Sequence, residues 1–260
     1  RLTIMTIPVA LAILLIGLTL GLIGAGGSIL TVPLLLYVGH LPLKEAIIIS
    51  FFVVASSSLV ALIFHVRNRT IDWQLALIFG LPAMLGAFIG GSMAAYLPNN
   101  LILTVFYLLM LLSGLKLAFS KTTDSEPSES DRSFVKSILL LFSGLIIGLL
   151  TGTIGVGGGF LIVPALLLLA KITPTLAIGT SLCIVAGQAS FGLVGYAQHT
   201  PFDLQYASVL TVFCCIGSLS GAWLSTKIEN AHFKLIFGWF LIIFSILFSV
   251  IELTKIFGLY

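Results

Sequence analysis

The sequence is short of charge. Lys, Arg, Asp and Glu together make up 8% of its 260 residues, while 59% are hydrophobic. An ordinary soluble domain carries roughly 25% charged residues. This scarcity excludes a soluble catalytic domain of any size, and with a mean hydropathy of +1.21 it marks an integral membrane protein. The formal net charge of +3 comes from cations in short loops, so it bears on membrane orientation and not on nucleic acid. Cysteine is also scarce. Cys183, Cys214 and Cys215 all lie in apolar stretches, and the adjacent pair is badly placed to bond with itself. All three read as reduced, small buried hydrophobes. His40, His65, His199 and His232 are scattered, so no metal site is assembled from them and no cofactor is expected. No Gly-x-Ser-Gly or His-Glu-x-x-His motif is present to suggest an intramembrane protease. An enzyme is therefore not expected.

What the sequence does have is long apolar runs. They fall at about 2–38, 46–64, 73–95, 101–119, 134–170, 176–196, 204–226 and 234–253, lengths suited to crossing a hydrocarbon core of about 30 Å. The first follows Arg1 and outlasts the apolar core of a secretory signal, so it is read as a membrane segment. Residues 120–133 interrupt the pattern with a Ser-, charge- and Pro-containing stretch that has the composition of a flexible linker. The expected organisation is a first membrane repeat over 1–119, a polar linker over 120–133 and a second membrane repeat over 134–260, each repeat with about four hydrophobic segments.

One motif occurs in both halves: Gly24-Ala25-Gly26-Gly27-Ser28 running to Pro33, and Gly155-Val156-Gly157-Gly158-Gly159 running to Pro164. Glycine runs are costly inside a helix. In a membrane they are tolerated chiefly where unwound backbone lines a protected cavity. Sliding Gly24 onto Gly155 aligns the halves without a gap from Gly17 to Asn99, and about a quarter of the positions match. Pro33 pairs with Pro164, Ser50 with Ser181, Asp72 with Asp203, Gly86 with Gly217 and Gly90 with Gly221. The first segment of each repeat is too long for one straight helix, and the glycines place the break, predicting a loop near mid-depth.

If each broken segment crosses once, the halves are parallel; if each turns back, they are inverted. Under the positive-inside rule the inverted reading places nine of the twelve Lys and Arg on one face, against eight for the parallel reading. The inverted repeat is favoured by that single residue.

Broken helices offer free N–H groups and the positive end of a dipole, which together favour an anion. No Lys or Arg lies well inside any apolar segment, so an anionic substrate would be held by dipoles and hydroxyls. The candidate substrate-binding residues are Gly24, Gly26, Gly27 and Ser28 in one break and Gly155, Gly157, Gly158 and Gly159 in the other, with Ser50, Ser57, Ser181 and Gln188 from the following segments. For Gln188 an interhelical hydrogen bond is an equal alternative, and for the serines a bond to their own helix backbone. Asp72 and Asp203 each precede an apolar run, where a helix-capping aspartate belongs. Mid-membrane carboxylates that would mark a proton relay are not apparent.

The paired signatures Gly24–Pro33 and Gly155–Pro164, the four apolar segments per half and the polar linker resemble the sulfite exporter TauE/SafE family of permeases. The resemblance covers nearly the whole chain, with one departure, Ser28 where the second copy has Gly159. It implies a multi-pass permease of the plasma or inner membrane that moves sulfur-containing oxyanions or organosulfonates, with export as the usual direction. One half would rock against the other around an anion held between the breaks. An uncoupled, channel-like anion pore and a non-transporting membrane assembly factor are the alternatives. The partners expected are a small anionic substrate and the lipid bilayer, with no nucleic acid and with homo-oligomerisation left open.

Overall fold

The computed structural model describes residues 6–94, 96–119, 134–155, 159–198, 200–225 and 233–256. Among these residues every regular element is helical. The first half begins with α1 (Thr6–Ile23), continues through tight 3-10 turns over Gly24–Leu30, a single α-helical turn α2 (Thr31–Pro33) and wider π turns over Leu34–Val38, and then forms α3 (Leu43–Arg67), α4 (Trp73–Ala94) and α5 (Asn99–Ala118). The second half comprises α6 (Phe134–Ile154), α7 (Gly159–Ala165) and its π turns over Leu166–Ala170, then α8 (Pro174–Ala197), α9 (Leu204–Ser225) and α10 (Phe233–Ile256). Among the described residues six helices are long and apolar enough to span a membrane: α3, α4, α5, α8, α9 and, within α6, Ser137–Ile154. The protein is a polytopic α-helical membrane protein.

On α4 a stripe of large apolar side chains faces outward and a stripe of small ones packs inward beside the buried Leu75 and Phe79. On α4 the outer stripe is Trp73, Leu77, Leu81, Leu85, Ile89 and Met93, all exposed, at the four-residue spacing that keeps a helix face in register. Its inner stripe is Ala76, Gly80, Ala83, Gly86, Ala87, Gly90 and Ala94, all buried. In lipid an outward leucine loses nothing, and close approach of small residues lets helix backbones pack. A Cβ built at Gly86 or Gly90 would collide with the backbone of Leu145 or Leu149 on α6; at Gly217 or Gly221 it would collide with that of Leu14 or Leu18 on α1. Each member of one set is the aligned counterpart of a member of the other.

These contacts fix helix direction. Gly144, Gly148 and Gly152 of α6 meet Phe79, Ala83 and Ala87 of α4 in rising order, and Gly17 and Gly21 of α1 meet Cys214 and Ser218 of α9 likewise. Both pairs run parallel. So do α4 and α8, where Gly187 meets Met84 and Gly195 meets Phe88. In contrast α3 and α8 are antiparallel, since Gly192 meets Phe51 while Gly179 meets Thr70 beyond the other end of α3. Asp72 and Asp203 begin α4 and α9 after short connections that reverse the chain, and their carboxylates accept the N–H groups of Leu75 (3.0 Å) and of Gln205 (2.9 Å) and Tyr206 (3.0 Å). Both act as N-caps. It follows that α1 and α3 point the same way, so the stretch from Gly24 to Val38 must carry the chain back.

The principal pairings, α1 with α9, α4 with α6 and α8, α3 with α8 and α9, and α5 with α10, all join one half to the other. The halves interdigitate. An expectation of two separate bundles rocking against each other does not suit this packing, because the helices that bury one another belong to different halves.

Candidate functional site

Both breaks hinge on a left-handed glycine. Gly24 has φ +75° and Gly155 φ +81°, a conformation that glycine adopts at little cost and other L-residues rarely adopt. Beyond each hinge lies an irregular short segment, Ser28–Val38 or Gly159–Ala170. Pro33 and Pro164 lack the N–H that a regular ladder needs, and π turns follow within two residues. Each segment ends on a further left-handed residue, His40 (φ 49°) or Lys171 (φ 53°), again aligned counterparts. The first 3-10 turns, which include Gly26, Gly27 and the buried Ser28, pack against α7. Gly157 and Gly158 lie outside the described residues; Gly159 is buried at the start of α7.

Each hinge abuts the opposite half. A Cβ on Gly24 would stand 2.8 Å from Ser181 Oγ and 3.1 Å from Ile178 Cα of α8, and one on Gly155 would stand 2.8 Å from Ile47 Cβ of α3. Ile47 and Ile178 are counterparts, as are Ser50 and Ser181, three residues further along the same helices. The contacts lie one turn inside the N-terminal ends of α3 and α8, and those helices are antiparallel. The two hinges are therefore displaced toward opposite ends of the bundle, whereas the sequence placed both loops near mid-depth. The short segments packed between them fill the space that an opposed pair of loops would have left.

The polar residues divide. Ser181 donates to Ile178 C=O at 2.8 Å beside Gly24. Ser50 is fully buried and its hydroxyl has no hydrogen-bond partner among the described residues, a state that carries a desolvation cost. Gln188 is also fully buried; its amide donates to Thr151 Oγ1 on α6, and its Oε1 has no partner. Thr151 C=O in turn accepts the N–H of hinge residue Gly155 at 2.9 Å, so Gln188 braces the foot of the second break. Ser57 lies against α9: its hydroxyl donates to Val53 C=O (2.6 Å) and its carbonyl accepts Ser218 Oγ of α9 (3.1 Å). The structure thus gathers Gly24 with Ser181 and leaves Ser57 at a helix interface.

Sequence reasoning missed a polar cluster at the last helix. Tyr37 OH donates to Glu252 Oε2 at 2.7 Å and lies 2.9 Å from Tyr107 OH. The available signal was a carboxylate in the last turn of the final apolar run. Its partners, in distant segments, carry none. Cys183, Cys214 and Cys215 are free thiols, and no group of three His, Cys, Asp or Glu side chains suited to a metal forms among the described residues.

Comparison with known proteins agrees with this architecture. A family model described as "Sulfite exporter TauE/SafE" matches residues 9–249. A probable membrane transporter protein of Xylella fastidiosa is 35% identical over 218 residues, covering 83% of this chain and 82% of its own. The probable membrane transporter protein YdhB of Bacillus subtilis is 26% identical over 232 residues, covering 88% and 92%. A further probable membrane transporter protein, from Methanocaldococcus jannaschii, is 22% identical over 236 residues, covering 85% and 86%. No solved structure matches. Broken apolar helices, small-residue packing and a match over nearly the whole length converge on one assignment: the chain belongs to the sulfite exporter TauE/SafE family of membrane transporters.

Proposed function

We propose that this membrane transporter exports small sulfur-containing oxyanions, such as sulfite or organosulfonates, across the cell's plasma or inner membrane. The observation that carries the reading is the pair of left-handed glycine hinges, each set against the second long helix of the opposite half. Discontinuous helices in corresponding positions of two halves are where transporters of this build place their substrates. The amides of the two glycine runs would face the oxyanion at successive positions along its path. The run at 24–28 would do so toward one end of the bundle with the Ser181 hydroxyl, and the run at 155–159 toward the other with the Ser50 hydroxyl, which has no competing bond to give up. Gln188 would position the second break through Thr151 and Ser57 would serve packing.

The reading includes an inverted repeat over 1–119 and 134–260. It is supported by the opposite directions of the counterparts α3 and α8 and by the return of the chain between α1 and α3. Alternating access would then move bodies that mix the halves, α1, α3 and α9 against α4, α6 and α8, around the α3–α8 contact.

Radiolabelled sulfite counterflow in proteoliposomes tests this. Saturable flux is expected, with KM raised about 10–100-fold in Ser50→Ala, the loss of one hydrogen bond to a charged ligand. A larger bulk at Gly157 or Gly158 should abolish flux while membrane insertion persists. Unchanged flux in all of these variants would reject the site.

A further inference from the structure

The alignment that lays Gly24 on Gly155 also lays His65 on Tyr196. One is an imidazole and the other a phenol, yet they share a property. His65 is 1% exposed and Tyr196 0%, and among the described residues neither His65 Nε2 nor the Tyr196 hydroxyl has a hydrogen-bond partner. A bare benzene ring at Tyr196 would pack on its neighbours without the desolvation cost of that hydroxyl. Buried polar atoms are nearly always paired, so a free tip repeated at two counterpart positions needs an explanation.

Both tips stand close to a hinge. His65 lies in the last turn of α3, and its Nδ1 is 2.8 Å from Thr70 Oγ1. Thr70 packs on Gly179 of α8, with its Oγ1 2.9 Å from where a Cβ would stand, and the adjacent Ile178 and nearby Ser181 are the residues that meet Gly24. Tyr196 lies in the last turn of α8. Its ring is 6.3 Å from that of Phe51 on α3, one turn on from Ile47, which meets Gly155. Because α3 and α8 are antiparallel, His65 and Tyr196 mark opposite ends of the bundle, each beside the helix head that receives one left-handed glycine.

Both tips can also do the same chemistry. A phenol has a proton to donate. Thr70 has one hydroxyl proton and two acceptors in reach, His65 Nδ1 at 2.8 Å and His65 C=O at 3.2 Å, and the carbonyl already accepts the Thr70 N–H at 3.1 Å. The hydroxyl proton therefore goes to the nearer nitrogen, which puts the ring proton on Nε2 and makes it a neutral donor. From these placements we infer that His65 Nε2 and the Tyr196 hydroxyl are oxyanion-binding groups, one at each end of the path, each donating one hydrogen bond to the anion as it passes the adjacent hinge. Naming sulfite as that anion rests on the transport reading above; the two donors do not.

The test uses the full-length protein in proteoliposomes of defined orientation, with radiolabelled sulfite offered from one side or the other. Tyr196→Phe should raise KM about tenfold to a hundredfold from one side. His65→Asn, which keeps an amide toward Thr70 but drops the tip, should do the same from the opposite side. Any other pattern, an unchanged KM or a rise on the same side in both variants, overturns the inference while wild-type flux leaves the transport reading standing. Tyr196→Phe removes a single unpartnered oxygen, so its thermal melt should match or exceed that of the wild type, and it decides the matter alone if His65→Asn misfolds. Equilibrium binding of radiolabelled sulfite, sulfate and phosphate to the detergent-solubilised protein separates the two readings in the other direction. Wild-type binding of one of these anions without sulfite flux, weakened at least tenfold in Tyr196→Phe, supports the donors and counts against the transport reading alone. Flux absent and none of the three bound by the wild type overturns both.

Discussion

Replacing Gly155 by alanine puts the hinge geometry under a quantitative test. At φ +81° an alanine pays about 1–2 kcal/mol for left-handed backbone. Its methyl would also meet Ile47, whose Cβ and Cγ1 stand 2.8 Å from the built Cβ and whose Cγ2 stands closer still. Overpacking of this kind adds about 1–3 kcal/mol, for a total of about 2–5 kcal/mol. At roughly 2–4 °C per kcal/mol for a chain of this size, the melting temperature in detergent should fall by about 4–20 °C. A double-mutant cycle exposes the side-chain part of the clash, because Ile47→Ala deletes the two colliding Cγ atoms while keeping Cβ and the backbone conformation. Gly155→Ala with Ile47→Ala should therefore be less damaging than the sum of the singles by about 1–3 kcal/mol. Gly24→Ala provides the contrast: its methyl would meet Ile178 Cα at 3.1 Å, so Ile178→Ala should give little rescue. Additivity within about 0.5 kcal/mol at Gly155 and Ile47, measured by thermal unfolding, would refute the contact.

Gly217→Ala should cost substantial stability and yield, because the methyl would meet the Leu14 carbonyl, which no rotamer change can move aside; Leu81→Ala, on the lipid face, should stay within about 0.5 kcal/mol in the same melts. Asp72→Ala and Asp203→Ala should each lose about 1 kcal/mol as cap deletions, with Asp72→Asn close to wild type; sulfite flux abolished by Asp72→Asn would show a role beyond capping. Thr151→Val should leave the Gln188 amide without its acceptor and destabilise the protein by about 1–3 kcal/mol, whereas Ser57→Ala, which loses a bond to its own helix, should melt within about 1 kcal/mol of wild type.

What could be read from the residues was local or periodic. Asp72 and Asp203 announce their caps because the N–H groups they satisfy lie two or three positions away. The glycine runs announce breaks because glycine's backbone freedom is a property of the residue. The small-residue stripe of α4 is visible at helical spacing, but its partner is not: nothing in Gly86 says that Leu145 faces it. Direction was equally hidden, since a charge count separates the inverted and parallel readings by one residue, while a handful of glycine contacts orients the helices. Gln188 and Ser57 are aligned counterparts, yet one braces α6 and the other faces α9, because the substitution of an amide for a hydroxyl changed what each can reach. The Tyr37–Glu252 bond was invisible for the plainest reason: it joins positions 215 residues apart, and each taken alone is an unremarkable polar group at the edge of an apolar run.

The interdigitation of the halves bears on how the protein is made. Leu14 and Leu18 of α1 are closed off by Gly217 and Gly221 of α9, which leave the ribosome roughly 200 residues later. At about 5–20 residues per second that is an interval on the order of 10–40 s. Throughout it the small-residue groove of α1 faces lipid or a membrane chaperone, and α1 lacks its principal native neighbour. The pairings of α4 with α6 and α8 and of α3 with α8 can form earlier, so assembly is completed, not begun, when α9 and α10 arrive. A chain cut between 120 and 133 would yield two fragments that are each poorly packed alone, and a premature stop anywhere before α9 would strand an exposed glycine groove in the bilayer.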